Sequence, residues 1–310
     1  MNLKKFIKKI IINLKNSLLK QVYKLIPLMT YKEHYIRSQR NYKPRKTPSN
    51  NLYKFTYIDS EDIIFKGIIE NDKYKKLIVK LNIISNQLFA KPKVNCWFPK
   101  KLNIKDDNIF RISHENIFIP EIKMLVNFIL PIVEKYIFNS HALVEGIYWY
   151  RTFENDTPDR SSFLWHFDNS CLERVKIMIY LNEVTSSNGP FTYLYNDSTN
   201  KGFKCKSSRI DFNNWESKNS RLSKDEIEKA YKSGYSEKQF IGDPGSFAIF
   251  NTNIAHRGSK PFNKDNRDAI VLMLRPFHKK LSPYIHKNWT GTNKHKDNNI
   301  NPKSYKLRLR

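Results

Sequence analysis

From about Ala142 onward the chain reads in short apolar or alternating runs, "LVEGIYWYRTF", "RVKIMIYLNEV", "PFTYLY", "GSFAIFN" and "DAIVLMLRPF", separated by Asn, Gly, Pro and Asp clusters. Alternation with period two sends successive side chains to opposite faces, so these runs predict strands joined by turns. Upstream the period lengthens. Leu77, Leu81, Ile84 and Leu88 fall at helical spacing, as do Ile122, Leu125, Val126, Ile129 and Val133, and Pro131 is expected to kink or shorten the second helix. One helix interrupts the strands. In "SKDEIEKAYKSG", residues 223–234, Ser223 stands as N-cap three residues before Glu226, acids lead, lysines follow and Gly234 closes. A helical first half followed by antiparallel-looking strands predicts an α+β fold or a β-barrel with helices outside it, and a double-sheet jelly roll of the cupin kind fits the strand number.

The ends of the chain read differently. Over residues 1–30, Leu3, Phe6, Ile7, Ile10, Leu14, Leu18, Val22 and Leu25 share a loose helical face, lysines cover much of the rest, and no acid appears before Glu33. A basic amphipathic helix on an anionic membrane surface and a helix packed on its own domain are equal readings of that pattern. Residues 31–52, with the polar, two-proline stretch "RNYKPRKTPSNNL", read as a linker. A single domain then covers 53–278, with its strand core at about 142–278 and an insertion at 197–240. The basic, core-poor segment 279–310 reads as a mobile tail.

Composition adds bounds. With 310 residues and 40% hydrophobic content the chain can bury a sizeable core. A net charge of +26 suggests a nucleic-acid or anionic-surface binder. The lysines are spread evenly with abundant Asn and Ile, as a base-composition bias produces, so nucleic acid is not the expected partner. Cys96, Cys171 and Cys205 are widely spaced and form no CxxC pair, which reads as reduced thiols in a cytoplasmic protein. No apolar run approaches the roughly 18 residues of a spanning helix, and the basic N-terminus lacks a cleavage site, so any membrane contact is peripheral. The nine glycines form neither GxGxxG nor GxxxxGK[ST], and HExxH and GxSxG are missing, which removes dinucleotide-fold, P-loop, zincin and α/β-hydrolase readings.

Candidate chemistry begins at "LWHFDNS". In a strand His166 and Asp168 project from one face, offering a nitrogen and an oxygen to one ion. Alone, that pair has a bland reading as a solvated strand edge. The balance shifts at "GSFAIFNTNIAHRGSKPFNKDNRDAIVLMLRPF", where His256 lies between two strand-like runs and Arg267 follows eleven positions later. Two histidines and a carboxylate are the ligand set that leaves adjacent Fe(II) positions open for oxygen chemistry. A guanidinium near the third ligand suits a dicarboxylate co-substrate such as 2-oxoglutarate, because Arg stays charged and grips carboxylate in bidentate fashion.

The order His-x-Asp, a strand, "NGPF", an insertion, "PGSFAIFN", "AHRG" and a following Arg resembles the phytanoyl-CoA dioxygenase family of Fe(II)/2-oxoglutarate-dependent oxygenases, over roughly Val144 to Phe277. The resemblance implies a double-stranded β-helix with N-terminal helices packed against it. It also implies an iron site of His166, Asp168 and His256, Arg267 on the distal carboxylate of 2-oxoglutarate, and dioxygen as second co-substrate. It implies a hydroxylase, since related halogenases lack the carboxylate. In that family a small hydroxyl residue often assists the Arg from two positions after the distal His or two after the Arg, which here are Gly258 and Ala269. Ser259, Tyr148 or Tyr150 are the candidates to serve instead, and the tyrosines read equally as core. Lys176 and Tyr180 share one face of "VKIMIYL" and point to the co-substrate or to solvent. The substrate is expected to be a small-molecule, lipid-linked or sugar-linked metabolite, and Arg160 and Arg174 are candidates to favour an anionic one. The alternative is a catalytically inert β-helix protein that binds nucleic acid or an anionic surface.

Overall fold

The computed structural model describes residues 53–56, 64–97, 109–113, 116–117, 119–154, 161–168, 174–205 and 220–277. The readings of the N-terminal helix, the linker and the tail lie outside these residues, as do Arg160 and Cys171. Among the described residues no helix is long and apolar enough to cross a membrane.

The five predicted strand runs become β5 (His141–Phe153), β6 (Val175–Tyr180), β7 (Phe191–Asn196), β10 (Ser246–Asn251) and β12 (Asn266–Phe277). Seven more strands join them: β1 (Tyr53–Thr56), β2 (Ile64–Ile69), β3 (Cys96–Trp97), β4 (Ile109–Ile112), β8 (Lys201–Gly202), β9 (Ser236–Phe240) and β11 (His256–Gly258). The larger sheet has the order β1-β2-β10-β6-β12-β5-β4-β3, and the smaller has β11-β7-β8 with β9 also on β7. All pairings are antiparallel. The chain is α+β with a double-stranded β-helix core.

Period two explains why the central strands are buried on both sides. Ile147 and Trp149 of β5, Ile177 and Ile179 of β6, Ile249 of β10 and Ile270 and Leu272 of β12 form the outward row of the large sheet. They pack under the helices α1 (Asp72–Phe89) and α3 (Pro120–Ile132), through Leu77, Ile78 and Leu81 of the first and Ile122, Leu125 and Ile129 of the second. The intervening residues Met178, Tyr180, Ala248, Phe250, Ala269 and Val271 face the small sheet, where they meet Phe191, Tyr193 and Phe240. A short helix α2 (Pro92–Asn95) follows α1.

Polar contacts lock α1 in place. Ser85 Oγ donates to Asp268 Oδ2 at 2.6 Å and accepts from Trp149 Nε1 at 3.2 Å. Arg151 donates to both Asp268 oxygens, from Nε at 2.6 Å and Nη2 at 2.7 Å. Pro131 neither breaks α3 nor passes without effect: the helix includes it, then widens into a π turn at Val133–Phe138 and ends at Asn139 with φ 47°. Proline cannot donate to the preceding turn, and the wider turn follows directly. In the insertion, α4 (Lys224–Lys232) has the predicted capping box: Ser223 Oγ accepts from Glu226 N at 3.2 Å, and Glu226 accepts from Ser223 N at 2.7 Å. Gly234 takes φ 84°, the left-handed conformation suited to glycine after a helix.

Candidate metal centre

His166 does not lie in a regular strand, contrary to the sequence expectation. It follows a 3₁₀ turn at Ser161–Phe163 and forms two isolated antiparallel bridges, one with Arg221 and one with His256, the first residue of β11. The two histidines exchange backbone bonds, His166 N to His256 O at 3.0 Å and His256 N to His166 O at 2.8 Å. Residues paired in this way project to the same face. Asp168 N donates to Thr252 O at 2.8 Å, which keeps the carboxylate two positions along on that face. One ligand atom from each of His166, Asp168 and His256 lies within 4.8 Å of the others.

The imidazoles are oriented alike. His166 Nδ1 lies 2.8 Å from Leu164 O, and His256 Nδ1 lies 2.7 Å from Ile254 O. A carbonyl oxygen only accepts, so Nδ1 carries the proton in both rings and each Nε2 is left with its lone pair, the form a metal binds. Burial lowers the His166 pKa to about 3, with the neighbouring His256 adding to the shift. Burial also lowers His256, to about 4, against the pull of Asp168. Both rings are therefore neutral at neutral pH. Burial alone would raise Asp168, but Lys176 and the two imidazoles outweigh it and hold the carboxyl below its usual range. Lys176 Nζ is 2.6 Å from Asp168 Oδ2, with both side chains about one-fifth exposed (20% and 21%). A neutral-imidazole pair beside an anionic carboxylate is a donor set suited to a divalent first-row metal.

The remaining candidates divide. Arg267 sits near the start of β12, 3% exposed, and its buried Nε and Nη1 have no hydrogen-bond partner among the described residues. Its Cζ is 5.8 Å from the Tyr150 ring centroid. A Cβ at Gly258 would stand 3.3 Å from Arg267 Nη2, so the missing side chain leaves room for the guanidinium. Tyr148 and Tyr150 both project to the inward side, against the inter-sheet core. Burial and the charge of Asp168 push the Tyr148 hydroxyl up to about 12, so it is a neutral phenol. Tyr150 Oη lies 4.0 Å from Met178 Sδ. Tyr180 accepts from Phe191 N at 3.2 Å and donates to Phe240 O at 2.8 Å, and its hydroxyl also lies within reach of the Arg267 guanidinium. The Ser259 hydroxyl bonds Thr192 Oγ1 at 2.8 Å. Arg174 is 3% exposed and donates to Glu145 Oε2 at 2.6 Å, while Arg275 donates to Oε1 of the same carboxylate at 2.7 Å. It belongs to a buried ion cluster and does not serve as a free cation for substrate. Cys96 is buried and Cys205 half-buried, and burial raises both thiols to about 12, which keeps them protonated.

Sequence reasoning passed over two further cations at this site, Arg111 of β4 and Arg221, whose backbone bridges His166. Neither lies in a recognisable motif. The alternation of Ile109, Phe110, Arg111 and Ile112 was the only available signal, since it puts Arg111 on the face opposite Phe110.

No protein-family model matches the sequence, and no curated protein matches it. Solved structures do resemble it. EctD from S. alaskensis with 2-oxoglutarate and 5-hydroxyectoine superposes with a TM-score of 0.51 at 12% identity, over 83% of this chain and 88% of that one. The apoform of EctD gives 0.50 at 12% identity, over 82% and 91%. At this identity the likeness establishes a shared fold, the cupin-like double-stranded β-helix.

Proposed function

We propose that the chain is an Fe(II)- and 2-oxoglutarate-dependent dioxygenase, akin to the phytanoyl-CoA dioxygenase family, that hydroxylates a small-molecule, lipid-linked or sugar-linked metabolite. One observation carries the reading: a His-Asp-His cluster with its ligand atoms within 4.8 Å shares the barrel interior with Arg267, a buried guanidinium whose Nε and Nη1 have no partner among the described residues. A buried charge without a partner is costly, and a bound carboxylate relieves that cost. EctD, of like fold, has been crystallised with 2-oxoglutarate, which agrees with this assignment.

In this reading His166, Asp168 and His256 hold the iron and Arg267 holds the distal carboxylate of 2-oxoglutarate. When bound, iron and 2-oxoglutarate supply the oxidative decarboxylation to succinate and carbon dioxide, with the oxidising power to hydroxylate a C–H bond using dioxygen. The Leu164 and Ile254 carbonyls orient the two ligand rings through their Nδ1 protons. Lys176 pairs with Asp168 at 2.6 Å and would supply a second positive charge for a carboxylate of the co-substrate. Tyr150 covers the Arg267 guanidinium with its ring, and Tyr148 contributes a neutral hydroxyl beside Asp168. Phe191 and Phe250 flank the His256 ring, with centroids 5.5 and 5.4 Å away, and exclude water from that side.

The test is formation of succinate from 2-oxoglutarate by the purified full chain, with Fe(II) and oxygen each supplied or withheld. Dependence on both is expected, because slow turnover without a second substrate needs only the site itself. A folded, iron-loaded chain that makes no succinate with any metabolite tested would remove the oxygenase reading and advance the inert β-helix binder.

A further inference from the structure

The arginines of the described residues sort by partner. Arg151 is paired with Asp268, Arg174 and Arg275 with Glu145, and Arg257 with Glu237. Arg111, Arg221 and Arg267 have no carboxylate partner among the described residues, and all three lie about the metal cluster. Arg111 is directly opposite Tyr150 in the β4–β5 pairing, which puts both side chains on one face, the inward one that carries Tyr148. Arg221 forms a backbone bridge with His166, whose other bridge is to His256, so it stands at the edge of the ligand pair. The charge of Arg111 acts on Tyr148, and that of Arg221 on Asp168 and His256, which agrees with this placement.

We propose that Arg111 and Arg221 bind an anionic group of the substrate, a phosphate ester or a carboxylate, and so position its reacting carbon beside the metal cluster. This rests on the oxygenase reading, in which Arg267 is taken by 2-oxoglutarate and Lys176 by Asp168. Two guanidiniums then remain beside the ligand cluster, half-buried Arg111 and exposed Arg221, neither in an ion pair with a carboxylate among the described residues, although the charge of Asp168 reaches Arg221. Arginine suits the task because its planar fork accepts phosphate or carboxylate through two parallel bonds. The pair comes from separate parts of the fold, the β4 edge of the large sheet and the segment leading into α4, so an anion held by both would also fix the insertion against the sheet.

The experiment titrates the iron-free full chain by calorimetry with pyrophosphate and, separately, with citrate. Four proteins are compared: the unaltered chain, Arg111→Gln/Arg221→Gln, Arg267→Gln, and a charge-matched control, Lys75→Gln/Lys232→Gln, on exposed helix positions. Binding in the unaltered chain, weakened roughly tenfold or more only by the paired Arg111 and Arg221 change, is expected. The tighter of the two anions then assigns the phosphate or the carboxylate class. Near-UV circular dichroism checks the fold, and Arg111→Lys/Arg221→Lys should regain part of the affinity by restoring charge without the fork. Equal binding by the double arginine variant and the lysine control, or no binding at all, overturns the proposal. Binding lost only in Arg267→Gln also overturns it, since the anion would then occupy the co-substrate position. Failure of the oxygenase reading appears elsewhere, as no succinate formed despite arginine-dependent anion binding.

Discussion

Arg267 and Asp268 are neighbours on β12 and both are buried, yet their charges meet opposite surroundings. Asp268, facing outward under α1, takes two bonds from Arg151 and one from Ser85, and its backbone N–H donates to Asn182 Oδ1. Arg267, facing inward, has a ring beside it and two nitrogens with no partner among the described residues. A buried charge satisfied by its own chain is part of the architecture. One left with unpartnered nitrogens carries a desolvation cost that its own chain does not fully offset, and under the proposed function 2-oxoglutarate offsets it. The same contrast separates Arg174 from Arg111, both near the site, only one of them matched by a carboxylate.

The contrast can be tested by substitution. The largest effect belongs to the cluster itself: His166→Ala, Asp168→Ala and His256→Ala are each expected to abolish iron-dependent succinate formation while the chain stays folded, checked by circular dichroism. Full turnover in any one would remove that residue from the ligand set. Asp268→Ala should cost stability, about 3–5 kcal/mol, because it strands Arg151 and Ser85 beneath α1, and denaturant unfolding reads this directly. Arg267→Met should behave in reverse, leaving the unfolding midpoint unchanged or raised while weakening 2-oxoglutarate by about 1.5–3 kcal/mol, measured as the concentration for half-maximal turnover. If Arg267→Met destabilised as strongly as Asp268→Ala, the guanidinium would be structural.

A smaller effect follows from the histidines. Their folded pKa values, about 3 and about 4, lie below the ordinary 6.5. Between those limits the unfolded chain binds protons that the folded chain does not, so stability falls as pH drops from about 6.5 towards 4. Each ring contributes a slope of at most about 1.4 kcal/mol per pH unit. Thermal unfolding of the iron-free chain across that range should show the decline, and His256→Gln should flatten it. A slope that His256→Gln leaves intact would place the titration at other groups.

Much of the candidate site was legible because its residues sit in short, ordered motifs. His166, Asp168, His256 and Arg267 are separated by spacings that a linear reading can match, and Tyr148, Tyr150, Lys176 and Tyr180 follow from period two along single strands. The capped helix at 224–232 was equally plain, since Ser223 and Glu226 are a local device. What the sequence hid depends on pairing between distant segments. The β3 strand is two residues long, β9 is the polar "SEKQF" with little apolar alternation, and β2 gains its identity by adding to β10. His166 reads as a strand residue but is held by isolated bridges to Arg221 and to His256, the latter ninety positions on. The hydrogen bond of Ser259 to Thr192 on β7, far away in sequence, likewise appears only in the fold. Arg111 and Arg221 gain meaning only when the fold shows which arginines have partners.

The central claim is that the His-Asp-His cluster and Arg267 together form a metal and 2-oxoglutarate site. Its most direct test is anaerobic absorption spectroscopy of the full chain with Fe(II) and 2-oxoglutarate. Chelation of iron by the 2-oxo acid at an open site of this kind is expected to produce a weak visible metal-to-ligand charge-transfer band, lost in His256→Ala and requiring more 2-oxoglutarate in Arg267→Met. A folded chain that binds iron but shows no band at saturating 2-oxoglutarate would contradict the account.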